Sequence, residues 1–206
     1  MKLHIVHGSP NCRKALAVIH HLKLAVDVVP LNFVSGDLAT PQYLSLNPNG
    51  MVPCLEDGDF KLWESNAIMQ YLAEGVPGNS LFPDDRRARA DINRWQCWET
   101  THFNKATGAI VWENFVKPHF NMGAPDAGLI STATQDLQRF APVLDQHLSA
   151  RRFVCGDQPT LADYSIACML MYREAGKLPL AEYTHITAWF QRVEALPGWA
   201  ASAPPQ

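Results

Sequence analysis

The sequence predicts two domains, an α/β domain followed by a domain made entirely of helices. In roughly the first 75 residues, short β-branched runs alternate with helical stretches, whereas after Pro83 the apolar spacing is helical throughout. Between them, residues 76–80 read Val-Pro-Gly-Asn-Ser, a composition typical of a loop. A chain of 206 residues suits one large domain or two small ones that share an interface, and the change in pattern favours two. We therefore predict domains over residues 1–77 and 85–206, with a linker over 76–84.

The elements of the first domain are predicted in the order β-α-β-α-β-β-α. The run 3–7 alternates and ends at Gly8, and residues 12–23 then have helical spacing. Asp57-Gly58 between two apolar runs indicates a hairpin. Ser65 at an N-cap and Gly75 as a stop bound the last helix. The other predicted elements are strands at 26–31, 52–55 and 60–62 and a helix at 40–46.

The second domain is predicted to hold four main helices. Their ranges are 86 to about 116, 129–148, 161–175 and 186–196, with Gly108 as a weak point in the first. Thr160-x-x-Asp163 is a Thr/Asp version of the capping box, which predicts a role in folding. The last residues, 200–206, are predicted to form a frayed tail.

Composition narrows the function classes that remain. With 17 Lys+Arg against 20 Asp+Glu the net charge is −3, and no basic run marks a nucleic-acid binder. No apolar stretch is long enough for a membrane helix, and the first residues lack a signal-peptide core. Five cysteines without a CxxC pair or zinc spacing favour a reduced cytoplasmic compartment and no metal. A soluble enzyme and a protein-binding domain both remain open.

The turn before the first predicted helix is one candidate site. Ser9 there could donate a hydrogen bond to an anion near the positive end of the helix dipole. Equally, Ser at an N-cap followed by Pro10 is a good helix start and nothing more. Cys12 could be a nucleophile with a lowered pKa, although a cysteine packed against the sheet is the commoner case.

Two further segments could bind a peptide-like molecule. If the bond before Pro53 is cis, Val52 presents its backbone N–H and C=O as a short docking edge, but such bonds are only about 5% of X-Pro bonds. Glu64 could hold an ammonium and Ser65 a carboxylate, which suits the two ends of an α-amino acid. The alternative is an ordinary N-cap preceded by a solvated acid.

Together these motifs resemble those of the cytosolic glutathione transferases, in particular serine-type, bacterial-like members. The matching motifs are Ser-x-x-Cys-Arg, Asn-Pro-x-Gly-x-Val-Pro, Glu-Ser-x-Ala-Ile and the Thr160 capping box, and they span nearly the whole chain. The resemblance implies a thioredoxin-like first domain and an all-helical second domain. It also implies glutathione as co-substrate, a small hydrophobic electrophile as second substrate and a homodimer.

The same resemblance assigns roles residue by residue. Ser9 is similar to the serine that hydrogen-bonds the glutathione sulfur, with Cys12 as runner-up for the catalytic residue. Val52, before a cis Pro53, is similar to the residue whose backbone pairs with the cysteinyl part, and Glu64 and Ser65 to the pair that holds the γ-glutamyl group. The full predicted glutathione set is Asn49, Met51, Val52, Pro53, Glu64, Ser65 and Asn66. The predicted electrophile pocket comprises Trp98, His102, Phe103 and Lys105.

One departure from the family pattern concerns the glycine end of glutathione. Residues 24–60 contain no Lys, Arg or His, where relatives usually place a cation for the glycine carboxylate. Neutral donors such as Gln42 and Asn49, or Lys105 from the second domain, could substitute. The leading prediction is a glutathione transferase. The alternatives are a Cys12-dependent thiol transferase or deglutathionylase, and a non-catalytic transferase-like interaction domain.

Overall fold

The computed structural model describes residues 1–204 and divides into two compact units. One unit comprises Met1–Phe82 together with the C-terminal segment from Ala195, and the other is Pro83–Glu194. Pro205 and Gln206, the end of the predicted tail, lie outside the described residues.

A four-stranded sheet forms the centre of the first unit. Its strands are β1 Lys2–Ile5, β2 Asp27–Pro30, β3 Cys54–Asp57 and β4 Phe60–Trp63, in the spatial order β2-β1-β3-β4. β1 is parallel to β2 and antiparallel to β3, which forms the predicted hairpin with β4. The helices are α1 Pro10–Leu22, α2 Pro41–Leu44 and α3 Ser65–Glu74, with a 3₁₀ turn at Asp37–Ala39. The predicted β-α-β-α-β-β-α order and thioredoxin-like arrangement are confirmed.

The core of this unit lies between the sheet and helices α1 and α3. β1 buries Leu3 and Ile5 and also His4 between them, and α3 buries Ile68 and Leu72 on one face. Since α1 and α3 pack against each other, the amino-terminal ends of both helices are fixed relative to the sheet.

The prediction of a frayed tail over residues 200–206 is wrong for residues 200–202, since a helix reaches Ala201 and Ser202 is buried, whereas Ala203 and Pro204 are exposed and outside any element. A short helix, α10 Pro197–Ala201, packs on α1, and its Trp199 is only 1% exposed. Gly198 permits this close approach, since an added Cβ would lie 2.6 Å from the carbonyl oxygen of Ala17. The Arg13 guanidinium lies 4.0 Å from the centroid of the Trp199 ring. Trp199 therefore anchors a segment whose local composition resembles a tail.

The second unit is helical, as predicted. Its first helical stretch is continuous and consists of α4 Arg86–Trp98, α5 Asn104–Val111 and α6 Lys117–His119, joined by π-helical turns at Glu99–Phe103 and Trp112–Val116. The remaining helices are α7 Ala127–Leu148, α8 Leu161–Ala167, a 3₁₀ turn at Cys168–Tyr172 and α9 Thr184–Glu194.

Gly108 is a packing position in this unit and does not interrupt the helix. It lies inside α5, and a Cβ there would come within 3.1 Å of the terminal methyl carbon of Met169.

Each π-turn also places one glutamate inward. The Glu99 carboxylate accepts hydrogen bonds from Asn104 and Ser165, and the Glu113 carboxylate from Lys117 and the Asp126 N–H.

The predicted capping box at the start of α8 is present and buried. The Asp163 carboxylate accepts hydrogen bonds from the backbone N–H groups of Val154 and Thr160, each 2.8 Å long. It also accepts from the Thr160 hydroxyl at 3.1 Å and the Trp189 indole at 2.8 Å. These bonds join the loop before α8 to α9, which gives the motif a structural role.

In the described part of the chain, no helix is both long and apolar enough to cross a membrane.

Candidate functional site

The loop between β1 and α1 presents the Ser9 hydroxyl at the helix N-terminus. Gly8 turns the chain with a φ of +83°, and Ser9 then occupies the N-cap in extended conformation with Pro10 in the first turn. Ser9 Oγ accepts a hydrogen bond from the Cys12 N–H at 3.4 Å. Because Oγ accepts this bond, the hydroxyl proton stays available to an acceptor outside the helix. The predicted N-cap is confirmed.

Cys12 lies one turn further on, in a different environment. Its side chain is 1% exposed, and burial raises the pKa of its thiol to about 11, against a smaller opposing effect of the Ser9 hydroxyl. At neutral pH such a thiol is almost entirely protonated. The geometry therefore gives Cys12 the properties of a packed side chain and leaves Ser9 as the accessible polar group.

The segment before β3 forms a free backbone edge. The Val52–Pro53 peptide bond is cis. The carbonyl of Met51 accepts hydrogen bonds from the Tyr43 hydroxyl and from Asn47 Nδ2, the latter at 2.7 Å. In residues 1–204, no hydrogen bond uses the backbone N–H or C=O of Val52, since the β1–β3 ladder ends at Cys54. The two donors on Met51 thus hold the edge in place while Val52 stays unpaired.

The start of α3 differs in one respect from the prediction. Glu64, not Ser65, is the N-cap residue, and its side chain forms no capping bond. Ser65 is instead the first residue of the helix, with its side chain largely buried. Glu64 has a φ of +70°, which is uncommon for a non-glycine residue. Its carboxylate is exposed and makes no ion pair with any described residue.

Two side-chain contacts join the starts of α1 and α3. Ser65 Oγ donates to Asn11 Oδ1 at 3.4 Å, and Lys14 Nζ donates to Asn66 Oδ1 at 3.1 Å. Lys14 is 1% exposed, whereas Asn66 is only partly buried, so this contact reaches from the interior to the first turn of α3. The two helix N-termini, each with free backbone N–H groups in its first turn, therefore lie side by side. Asn11, Lys14, Tyr43 and Asn47 were not among the predicted site residues.

The remaining predicted residues of this unit have weaker claims to a ligand. Asn49 uses its side-chain amide within its own turn, donating from Nδ2 to Asn47 Oδ1 at 2.9 Å. Met51 is 66% exposed, and its carbonyl is already bonded. Lys61, the first cation after the window 24–60, pairs with Glu56 at 2.6 Å.

The predicted electrophile residues all lie in the second unit. Trp98 stacks on Phe103 with ring centroids 5.4 Å apart, and Phe103 is fully buried. His102 stacks on Phe140 at 4.5 Å, and Lys105 is exposed. Trp98 and His102 are only partly buried, so they are the aromatic members of this set that retain accessible surface. Within residues 1–204, no group of three or more His, Cys, Asp and Glu side chains could hold a metal ion.

Comparison with known proteins decides the family. The family model described as "Glutathione S-transferase, N-terminal domain" matches residues 1–74, and that described as "Glutathione S-transferase, C-terminal domain" matches residues 103–197. The chain belongs to the glutathione S-transferase family. This membership confirms the predicted family, makes the chain a transferase and identifies glutathione as its co-substrate.

Full-length relatives support the same assignment. A glutathione S-transferase of Hyoscyamus muticus is 31% identical over 97% of this chain and 96% of its own. Glutathione S-transferase 3 of Zea mays is 31% identical over 97% of this chain and 91% of its own. The solved structure of a glutathione S-transferase I bound with lactoylglutathione is 25% identical, with a TM-score of 0.87 over 98% of this chain and 97% of that one.

Proposed function

We propose that this glutathione S-transferase joins the glutathione thiolate to a small hydrophobic electrophile and that Ser9 stabilises the thiolate. The observation that carries the proposal is the Ser9 hydroxyl at the N-terminus of α1. It is only partly buried and accepts from the helix, so its proton can be donated to sulfur. The adjacent start of α3 and the free Val52 edge complete a surface of the kind that would bind an extended, charged tripeptide.

The role of Ser9 is electrostatic. A free thiol has a pKa near 8.5, so only a few per cent is thiolate at pH 7. A pKa lowered by about two pH units makes roughly three quarters of it thiolate, which requires about 2.7 kcal/mol of preferential stabilisation. The Ser9 O–H and the N–H groups of the first turn of α1 can supply this, because a hydrogen bond to a charged group contributes about 1.5–3 kcal/mol.

The chemical step follows from this charge. The sulfur of the thiolate donates an electron pair to the electrophilic carbon and a C–S bond forms. With an aryl halide, the C–halogen bond then breaks and the halide leaves with its electron pair. Ser9 keeps its proton throughout and changes only the free energy of the thiolate, so no general base is needed once the thiol is ionised.

The rest of the first unit would orient glutathione. The N–H and C=O of Val52 would pair with the cysteinyl backbone in the manner of an added strand. The first N–H groups of α3 would bind the γ-glutamyl carboxylate, and the Ser65 hydroxyl would turn its one proton from Asn11, at 3.4 Å, to the same carboxylate. The exposed Glu64 carboxylate would bind the ammonium. Asn66, held by Lys14, would fix the first turn of α3.

The glycine carboxylate of glutathione would lack a cationic partner in residues 24–60. An ion pair at an exposed site contributes only about 0–1 kcal/mol, so its loss is compatible with binding. Asn49 offers little compensation because its amide is bonded to Asn47.

The Cys12-dependent alternative has less support than the Ser9 mechanism. A nucleophilic cysteine needs an accessible thiolate, whereas Cys12 is 1% exposed and has a pKa raised to about 11 by burial. The non-catalytic alternative is disfavoured by the combination of Ser9, Val52, Glu64 and Ser65 in one unit.

In this proposal the enzyme is a cytoplasmic homodimer. Its five cysteines all lie within the described residues and are free thiols, which suits a reducing compartment. The electrophile would meet partly exposed aromatic groups of the second unit, with Trp98 and His102 as the strongest candidates. Sedimentation equilibrium tests the proposed dimer. A monomeric mass at micromolar concentration would contradict it.

Retention on immobilised glutathione, followed by a conjugation assay with a chromogenic aryl halide, tests the proposed activity. We expect elution by free glutathione, and turnover that falls in Ser9→Ala but not in Cys12→Ala. Full conjugating activity in Ser9→Ala would refute the Ser9 mechanism, and the absence of both retention and turnover would refute the enzyme itself.

A further inference from the structure

A cleft in the second unit concentrates positive charge, and none of the residues proposed to bind glutathione lines it. Its volume is about 420 Å³, and seven residues line it: Leu148, Ser149, Arg151, Arg152, His185, Ala188 and Arg192. The chain has ten arginines and a net charge of −3, yet three of the ten line this one cleft and no acidic residue does. Such a local excess of one charge, against the sign of the whole chain, is typical of an anion site.

The fold brings these arginines together from two places in the sequence. Arg151 and Arg152 follow the end of α7, and Arg192 lies in the last turn of α9. Arg192 Nε donates to the carbonyl of Arg152 at 2.9 Å, which ties the two segments together. Arg151 Nη1 donates to the carbonyl of His147 at 3.2 Å, near the C-terminus of α7.

Backbone carbonyls, not carboxylates, hold these guanidinium groups. Each carbonyl uses one N–H of a group that has five, so Arg151 and Arg192 keep several donors for a ligand. Within residues 1–204, no carboxylate forms an ion pair with any of the three arginines. Three other arginines of this unit are paired: Arg89 with Asp84, Arg94 with Asp91 and Arg173 with Glu194.

The acidic groups near the cleft already have other partners. Asp145 Oδ1 accepts from the backbone N–H groups of His185 and Ile186, at 2.9 and 3.0 Å, and so caps the start of α9. Glu194 pairs with Arg173 at 3.1 Å. The cleft lining therefore holds three arginines and no carboxylate, and an anion that contacts more than one of them lowers their mutual repulsion.

We infer that this cleft binds a compact anion with two linked phosphate groups. Guanidinium groups pair with phosphate oxygens in bidentate fashion, and three of them exceed what one phosphate requires. The volume falls in the range of small-molecule sites, and the small apolar contribution of Leu148 and Ala188 favours a polar ligand. The lining shares no residue with the proposed catalytic and glutathione-binding set, so occupancy does not require turnover.

Calorimetric titration with inorganic pyrophosphate tests the inference, with orthophosphate as the single-phosphate comparison. We expect saturable binding of one pyrophosphate per chain at physiological salt, at least about tenfold tighter than orthophosphate. Arg151→Gln/Arg152→Gln should weaken it by at least about tenfold, because neither side chain contributes to a buried interaction that the fold needs. Arg192→Gln should weaken it as well, which tests the contribution of α9.

The matched control is Arg86→Gln/Arg87→Gln, which removes the same charge from the exposed first turn of α4. It should leave pyrophosphate affinity unchanged, and all variants should conjugate glutathione at the wild-type rate. No pyrophosphate binding at millimolar concentration would overturn the inference. Equal losses in the control and cleft variants would also overturn it, since they would show a response to net charge alone.

Discussion

The starts of α1 and α8 are two helix N-termini with opposite uses of the same chemistry. At α8, the Asp163 carboxylate is fully buried and accepts four hydrogen bonds from its own chain. At α1, the Ser9 hydroxyl is only partly buried and accepts one bond, 3.4 Å long. Burial raises the pKa of Asp163, while the bonds that it accepts act in the opposite direction.

The difference shows how to separate a structural cap from a functional one. A cap whose bonding capacity is used inside the protein stabilises the fold and has none left for a ligand. A cap that keeps a donor at an accessible helix N-terminus can act on an anion. Substitution at α8 should therefore change stability, whereas substitution at α1 should change thiol chemistry.

The largest expected effect is that of Asp163→Ala on the free energy of unfolding. The change leaves the N–H groups of Val154, Thr160 and Trp189 buried without their acceptor, which should cost about 4 kcal/mol. Chemical denaturation followed by tryptophan fluorescence measures it. The exposed Asp157, changed to Ala, is the control and should shift stability by no more than about 0.5 kcal/mol. If Asp163→Ala lowered the free energy of unfolding by no more than the control, the claim that the Asp163 hydrogen bonds stabilise the fold would be contradicted.

Ser9→Ala should have the opposite effect to Asp163→Ala, with a small loss of stability and a large loss of activity. Its cap bond is long, so stability should fall by only about 0.5–1 kcal/mol. At pH 7, kcat/KM for conjugation should fall by up to about 25-fold, because the bound thiol would be mostly protonated. The pH at which the rate reaches half its maximum should rise, since the variant needs a higher pH to ionise the thiol. Ser9→Thr keeps the hydroxyl and should retain most of the activity. Loss of stability with unchanged rate would make Ser9 a purely structural cap.

Ser65→Ala should produce a moderate effect on binding. Without the hydroxyl, the dissociation constant of glutathione should rise by about tenfold, which corresponds to the loss of one hydrogen bond to a charged group. The pKa of the bound thiol should stay unchanged, because Ser65 lies at the other helix. Equilibrium fluorescence quenching measures the constant, and Ser80→Ala in the exposed linker is the control. An unchanged constant would exclude Ser65 from the γ-glutamyl site.

The smallest expected effect concerns the glycine end of glutathione. A titration with glutathione and with γ-glutamylcysteine should give constants within about threefold of each other, since residues 24–60 supply no cation. A much weaker constant for the truncated peptide would show that another group binds the glycine carboxylate.

Local patterns predicted most of the fold. The strand and helix order, the Ser9 cap, the Asp57-Gly58 hairpin and the Thr160 capping box all depend on residues near one another in sequence, and the structure contains them. Anchoring of the C-terminus by Trp199 was not predictable, because it depends on a surface of α1 almost 190 residues away.

The site residues likewise divide into those that local motifs predicted and those that depend on tertiary packing. Ser9, Val52, Glu64 and Ser65 lie in recognisable motifs, whereas the link from Asn11 to Ser65 and the contact from Lys14 to Asn66 depend on tertiary packing. The N-cap of α3 was predicted at Ser65, one residue too late. Ser is a usual N-cap residue, whereas here Glu64 holds that position with a positive φ. The arginine cleft has only the Arg151-Arg152 pair as a signal in the sequence.

The ionisation of enzyme-bound glutathione tests the role of Ser9 most directly. The ultraviolet absorbance of the thiolate, followed as a function of pH, should give a midpoint near 6.5 for the wild type and for Cys12→Ala. In Ser9→Ala the midpoint should move toward the free value of about 8.5. An unmoved midpoint in Ser9→Ala, or a midpoint that moves only in Cys12→Ala, would contradict the assignment of thiolate stabilisation to the Ser9 hydroxyl.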